Sequence, residues 1–295
     1  MRVFVAGASG VLGRRVVPAL SAAGHHVTAN VRDDEARRLA EEAGAATATV
    51  DLFDPAATAR LGDAHDAIVN VATNIPTGAS AVRKAGWAIN DRLRSVASAN
   101  LADAVARPDG RYVGESITFP YVDGGDEWID ETHERTYFWG NRSCKDAEAS
   151  ARSVTEAGGV GVALRFAMFF AADSAHDAAI RAAARRGVFG LPGEPEAYAS
   201  WVDVDDAAAA VVAALDAPPG LYNVAEPDPV RRADHADALA SAVGRRRLRR
   251  LPRVAVKLAG SGVGSLARSQ RISSASLTAA TGWEPTRRVV DAWER

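Results

Sequence analysis

The first thirteen residues restrict the fold more than any other part of the chain. Arg2-Val3-Phe4-Val5-Ala6 is a short apolar run with β-branched residues, and it reads as a buried strand. Gly7-Ala8-Ser9-Gly10-Val11-Leu12-Gly13 follows at once. Arg14 to Ala23 then carries Val16, Val17 and Leu20 at helical spacing, up to a helix stop at Gly24. A glycine turn between a strand and a helix has a physical use. Gly7 allows the tight turn. Gly10 lets the backbone approach a pyrophosphate, and Gly13 lets the helix lie against the strand. Diphosphate oxygens then meet the helix N-terminus, with Ser9, Val11 and Leu12 completing the corner.

Downstream, the same rhythm repeats. His26 to Val31 reads as a second strand, and Asp33 caps a helix that stops at Gly44. Thr47 to Val50 is a third strand. Asp54-Pro55 opens another helix with an N-cap and Pro at the first helical position. Ala67 to Val71 is a fourth strand, Ser80 to Ala106 a long helix, and Arg111 to Gly114 a fifth strand running into Glu115-Ser116. Trp139 to Ala157 reads as helix, Gly161 to Phe166 as a sixth strand, and Gly220 to Val224 as one more. Alternation of this kind predicts an α/β doubly wound parallel sheet, the Rossmann fold, with ligands at the carboxyl ends of its strands. Residues 1–167 form the expected core, with strands returning at 201–224. Segments 168–200 and 226–295 are richer in Gly, Pro and short helices and are assigned to a small substrate lobe.

Composition bounds the partners. A net charge of −2 over 295 residues gives no reason to expect nucleic acid or an anionic membrane. One Cys excludes an internal disulfide and fits a reducing cytoplasm. No apolar run approaches the roughly 20 residues that cross a bilayer, and the chain opens on a strand rather than a signal peptide. The six His and single Cys show no metal spacing, so no metal site is expected. A small-molecule substrate is expected; oligomeric state is open, with a homo-oligomer allowed.

The G-x-x-G-x-x-G spacing resembles the short-chain dehydrogenase/reductase superfamily, in its extended and atypical, epimerase/dehydratase-like branch. Further stretches match in order over nearly the whole chain. Asp51-Leu52 resembles the acidic position near the adenine ring. Asn70-Val71-Ala72-Thr73 stands where the family runs along the cofactor, and Asn90 where its helix often has Asn. Leu164 to Met168, with Ala167 and Met168 at its end, resembles the segment passing the nicotinamide. Trp201 to Asp206, Leu221 to Val224 and Ser276 to Trp283 resemble later signatures.

The second strand ends in Asn30-Val31-Arg32, without the carboxylate that bonds a ribose 2′-OH, while Arg32 can pair with a 2′-phosphate. NADP is the expected cofactor and NAD the alternative. The family's Tyr-x-x-x-Lys is absent in either register: Asn141 stands four residues before Lys145, and with the helix registered on Glu148 the two positions fall on Gly140 and Cys144. Replacement candidates are Ser116 and Thr118 at the end of the fifth strand, Tyr121, Tyr137 and Lys145. Each has a structural alternative, since strand-end hydroxyls often bond local backbone. The acidic, aromatic stretch Tyr121 to Phe138, with Asp130, Glu131 and His133, reads either as a lid over substrate or as a solvated loop. The basic run Arg245 to Arg250 reads as a phosphate-binding patch or a solvated connection. Phe169, Phe170, Phe189 and Trp201 suggest an apolar pocket or an ordinary core.

The resemblance implies an NADP-dependent oxidoreductase acting on a carbonyl, imine or activated alkene of a small metabolite. A redox-neutral epimerase, dehydratase or cyclase, or a nucleotide sensor without turnover, are the other readings.

Overall fold

The computed structural model describes residues 1–76, 78–81, 83–250 and 261–294. Residues 251–260 of the expected lobe lie outside the described residues. Seven parallel strands form the central sheet: β1 (Arg2–Ala6), β2 (His26–Asn30), β3 (Ala46–Ala48), β4 (Ala67–Asn70), β5 (Arg111–Ile117), β6 (Val160–Phe166) and β7 (Gly220–Val224). Their spatial order is β7-β6-β5-β4-β1-β2-β3. The principal helices are α1 (Gly13–Ala22), α2 (Asp34–Glu42), α3 (Ser98–Ala104), α4 (Cys144–Glu156), α5 (Ala175–Arg185), α6 (Val204–Ala214) and α7 (Arg232–Ala242).

Side chains alternate across the sheet, so each face packs its own helical layer. Val3, Val5, Val27, Val69, Val113, Val162 and Leu164 share one core with Val16 and Leu20 of α1 and Val211 of α6. Phe4, Ile68, Tyr112 and Ala163 share the other with Leu101 of α3 and Val154 of α4. All seven strands are parallel, so their carboxyl ends form one edge. The order reverses between β1 and β4, which opens a crevice there.

The long helix expected over 80–106 is broken. Short 3₁₀ turns occupy Gly78–Ser80 and Lys84–Trp87. An α-helical turn, Ala88–Arg92, then enters a π-turn, Leu93–Ala97, that leads into α3. Serine hydroxyls stabilise the wide turn: Ser98 Oγ donates to the Leu93 carbonyl five residues back at 3.2 Å. The turn points Arg94 inward. The helix expected from Trp139 starts only at Cys144, because Asn141 closes a preceding turn: its Oδ1 accepts the Phe138 N–H at 2.9 Å.

A second core gathers Phe170, Phe189, Trp201, Leu239, Leu248, Val289 and Trp293. Short strand pairs frame this lobe: Met168–Phe170 beside Trp201–Asp203, and Tyr198–Ala199 beside Val230–Arg231. The aromatic residues read as a pocket are therefore largely core. Trp201 is wholly buried, 5.6 Å from Trp293, and Phe169 leans on Phe166 at 5.2 Å.

Candidate functional site

At the crevice, Gly7 adopts φ +83°, a left-handed conformation that glycine reaches without strain. A Cβ there would stand 2.6 Å from the Ala72 nitrogen. At Gly13, a Cβ would collide with the Gly7 carbonyl oxygen, so the start of α1 lies tight on β1 only because that position is bare. Ser9, Gly10 and Val11 are exposed, whereas Ala8 and Leu12 are buried. The corner is pinned from behind by the Gly10 N–H donating to the Gly7 carbonyl at 3.0 Å. Among the described residues nothing accepts from the N–H groups of Val11 or Leu12, and the Leu12 N-cap has no side-chain partner. Open backbone donors at a helix N-terminus, with glycines where a methyl would intrude, fit a dinucleotide diphosphate.

Beside the corner, Arg32 follows β2, is exposed, and has no acid paired to it among the described residues. Asp33 is committed to α2: its Oδ1 accepts the Ala36 N–H at 2.8 Å. Asn30, expected to touch cofactor, instead ties β2 to the chain after β3. Its side chain accepts from Val50 N at 2.9 Å and donates to Val50 O at 3.2 Å. Asp51 is exposed and accepts the Phe53 N–H at 2.9 Å, while Leu52 is buried beneath it.

At the end of β4, Val71 is buried, Ala72 half-buried and Thr73 exposed. Asn90 is buried and reaches this segment from below, its Oδ1 accepting the Asn74 N–H at 3.0 Å. It therefore sets the course of the loop rather than lining the crevice. Ala167 is buried, its N–H on the Val224 carbonyl at 2.9 Å, and Met168 is half-exposed.

The ends of β5 and β6 differ sharply from this. Ser116 is 0% exposed and donates to Glu148 Oε1 at 2.9 Å. Glu148 also accepts from Arg165 Nε and Nη2 at 2.7 and 2.8 Å, and from Arg135 Nη1 at 2.7 Å. Arg165 Nη1 donates to the Tyr121 hydroxyl at 2.8 Å, which donates in turn to Asn223 Oδ1 at 2.8 Å. Burial raises the Glu148 carboxyl, but hydrogen bonds and charge from Arg165, then Arg135 and Ser116, hold it below the usual range. Burial pushes the Tyr121 phenol up to about 12. Next to this network, Arg94 from the π-turn pairs with Glu115 at 2.6 Å, both buried. Thr118 is buried too, its N–H on the Phe166 carbonyl. The structure therefore holds Ser116, Thr118 and Tyr121 inside the fold, with almost no open surface, rather than on the wall of the crevice. Sequence reading missed the network. The available signal was single charges inside apolar strands, Arg165 in β6 and Glu115 in β5.

Tyr137 and Lys145 are brought together. Lys145 Nζ lies 4.0 Å above the Tyr137 ring centre and Arg135 Cζ 5.9 Å from it. Lys145 is exposed and Tyr137 partly so. The start of α4 lies at the carboxyl edge, since α4 runs back between β5 and β6. Asn141, four residues before Lys145, is buried with its Nδ2 unpartnered. The lone Cys144 is buried, and burial raises its thiol to about 12.

The stretch 121–138 is neither a lid nor a free loop. Trp128–Ile129 pairs with Arg271–Ile272, Gly124 N donates to Ser269 O at 2.9 Å, and Glu131 accepts from Asn223 N and Ser276 Oγ at 2.7 and 2.8 Å. It is a strap sewn to the C-terminal segment. The motif Trp201–Asp206 is likewise structural. Asp203 caps α6, and Asp206 accepts from the N–H groups of Thr286 and Arg287 at 2.8 and 2.7 Å. A cleft of about 550 Å³ lined by Asp123, Asp126, Glu194, Glu196 and Arg231, and a smaller cavity of about 210 Å³ beside Glu148 and Gly220, both lie away from the glycine corner. Among the described residues no group of three or more His, Cys, Asp or Glu is arranged to hold a metal ion, and no helix is long and apolar enough to cross a membrane.

Residues 3–114 match the model of the NAD-dependent epimerase/dehydratase family. The chain is 30% identical over 301 residues to a 3-diazoavenalumate denitrifying reductase of a Streptomyces species, covering 97% of this chain and 96% of that one. Among solved structures it resembles UDP-N-acetylglucosamine 4-epimerase from Bacillus cereus (TM-score 0.77, 17% identity, 100% and 97% of the two chains). It also resembles the human epimerase family protein SDR39U1 with NADPH (TM-score 0.75, 22% identity, 100% and 98%). These two likenesses concern the fold. With a full-length relative, a matching family model and a glycine corner left open for a diphosphate, the chain belongs to the NAD-dependent epimerase/dehydratase family.

Proposed function

We propose that the chain is an NADP-dependent oxidoreductase that reduces a carbonyl, imine or activated alkene of a small metabolite. The observation that carries this reading is Arg32, exposed and without an acidic partner among the described residues, at the end of β2 beside the open corner. A free guanidinium there suits a 2′-phosphate, which it can meet with two parallel hydrogen bonds. The full-length relative named as a reductase supports the same direction.

Bound NADPH would supply the hydride. The chain's own part is to hold, orient and protonate. Val11 and Leu12 offer N–H groups to the diphosphate; Asp51 and Leu52 flank the adenosine end, and Val71 to Thr73 with Ala167 and Met168 wall the crevice. Tyr137 is the proton donor. Burial raises its phenol above the ordinary value, which keeps the proton on Oη at neutral pH. When that proton passes to the acceptor's oxygen or nitrogen, the phenolate left behind faces Lys145 and Arg135, and both cations favour it.

The test is binding first. Dissociation constants for NADPH and NADH are compared on the same protein, and NADPH is expected to bind at least tenfold tighter, about 1.4 kcal/mol. A preference for NADH removes the assignment. Consumption of NADPH at 340 nm over a panel of carbonyl compounds then tests net reduction. The missing Tyr-x-x-x-Lys favours a second reading, a redox-neutral isomerisation or elimination. It predicts product formation with no change at 340 nm.

A further inference from the structure

The net charge of −2 averages over an uneven surface. α5 ends in Arg185 and Arg186, and the basic run 245–250 follows α7. The structure seats these two segments side by side. Arg245 Nε donates to the Arg185 carbonyl at 2.9 Å, Arg249 N donates to the Gly187 carbonyl at 2.8 Å, and Phe189 N donates to the Arg249 carbonyl at 2.9 Å. Arg185, Arg186, Arg245, Arg246, Arg247 and Arg249 are all exposed. Val188, bridged to Arg249, is exposed among them.

Their charges are not answered locally. Residues 178–193 and 238–250 contain no Asp or Glu. Arg181, one turn earlier in α5, is tied to Asp177 at 2.8 Å, but among the described residues no ion pair holds any of the six exposed arginines. The carboxyl ends of α5 and α7 supply some negative potential, and Arg245 uses the first of them. Two helix termini together amount to about one elementary charge, which leaves about five of the six positive charges for a partner.

Like charges gathered at a surface repel one another, and a polyanion relieves them. Its kind follows from what the patch lacks. The aromatic residue of these segments, Phe189, is 2% exposed, so no ring is offered to a nucleic-acid base. α5 and α7 reach the patch by their ends and present no helix side to a groove. Val188 is the one large apolar side chain exposed there, too little for the apolar centre of a protein interface. An anionic lipid surface needs neither a fixed shape nor an apolar centre, because its headgroups move to meet the charges. We propose that Arg185, Arg186 and the arginines of 245–249 form a docking surface for an anionic membrane, with Val188 resting at the headgroup boundary. Docking of this kind is adsorption and needs no spanning helix. It does not depend on the cofactor assignment.

Co-sedimentation of the full chain with vesicles of phosphatidylcholine carrying about one-third phosphatidylglycerol tests this. Binding is expected at low salt and weakens as salt screens it, with none to phosphatidylcholine alone. Each arginine at such a surface changes the partition about fivefold, so Arg246→Gln with Arg247→Gln should weaken binding about 25-fold. Arg185→Gln with Arg186→Gln should do the same from the other segment. Arg38→Gln in α2 with Arg60→Gln alters the net charge equally at two exposed positions outside the patch and should leave binding close to that of the wild type. All six positions are exposed, and an unchanged thermal midpoint checks folding in each variant. No binding of the wild type to the anionic vesicles, or equal losses in all three double variants, overturns the proposal. A wild type that ignores the vesicles yet binds a DNA duplex or poly-glutamate through the same arginines also overturns it, in favour of that partner.

Discussion

The carboxyl edge of the sheet has two halves, and they treat polar groups in opposite ways. At β1, β2 and β4 the chain leaves donors open: the N–H groups of Val11 and Leu12, and the guanidinium of Arg32. At the ends of β5 and β6 a chain of side chains is buried and engaged, from Ser116 through Glu148 and Arg165 to Tyr121 and Asn223. An unpaired polar group is tolerated where water or a ligand can reach it, and is costly where neither can. The open half therefore has the character of a binding surface and the closed half that of a scaffold. Tyr137, the proton donor proposed above, stands at the rim with Lys145 and Arg135 near its ring.

The contrast is broken most directly at that rim. Tyr137→Phe should lower kcat for NADPH oxidation about 10²- to 10⁴-fold, the usual yield of a positioned acid, with the NADPH dissociation constant unchanged. Full turnover in the variant would return the search to the buried half. Glu148→Ala should cost about 3–5 kcal/mol in urea unfolding, because it strands Arg165, which is wholly buried. A loss under about 1 kcal/mol, as for a surface pair, would show that the closed half is wet.

A second buried glutamate sharpens the same point. Among the described residues Glu226 accepts two backbone N–H groups, from Trp201 at 3.1 Å and Val289 at 3.0 Å, and burial pushes its carboxyl up to about 8. Folding thus favours its neutral form. Its contribution is complete below the unfolded value near 4.5 and fades as the pH rises toward 8. Unfolding free energy measured from pH 5 to 8 should fall in the wild type and stay flatter in Glu226→Gln. Equal slopes would remove Glu226 as the cause.

Much of the open half was legible in the sequence because its signals are local. The glycine spacing, the apolar run before it, and the caps Asp33 and Asp54 each act within a few residues, and both caps bond as their positions suggest. The edge strand β7 has the bounds that its apolar run implied. The closed half was not legible. Glu148 meets Arg165 across 17 positions and Arg94 meets Glu115 across 21. The second pairing depends on a π-turn that no periodicity announces. Nor can a sequence say whether Trp201 and Phe189 line a pocket or fill a core. Burying them in the lobe took residues as distant as Trp293.

Smaller effects test each half separately. Arg32→Ala should weaken NADPH binding about ten- to hundredfold, the range of a hydrogen bond to a charged group, and leave NADH binding alone. A uniform loss for both cofactors would mean that Arg32 supports the corner rather than reading the phosphate. Ser116→Ala carries the least expected effect and the finest discrimination. It removes one hydroxyl from Glu148, which keeps its donors from Arg165 and Arg135, so stability should drop by about 1 kcal/mol. Turnover should survive, since a hydroxyl with no exposed surface and an acceptor at 2.9 Å has nothing left to offer a substrate. Loss of turnover with stability intact would mean that the β5 end opens during the reaction, and that the two halves of the edge work as one site.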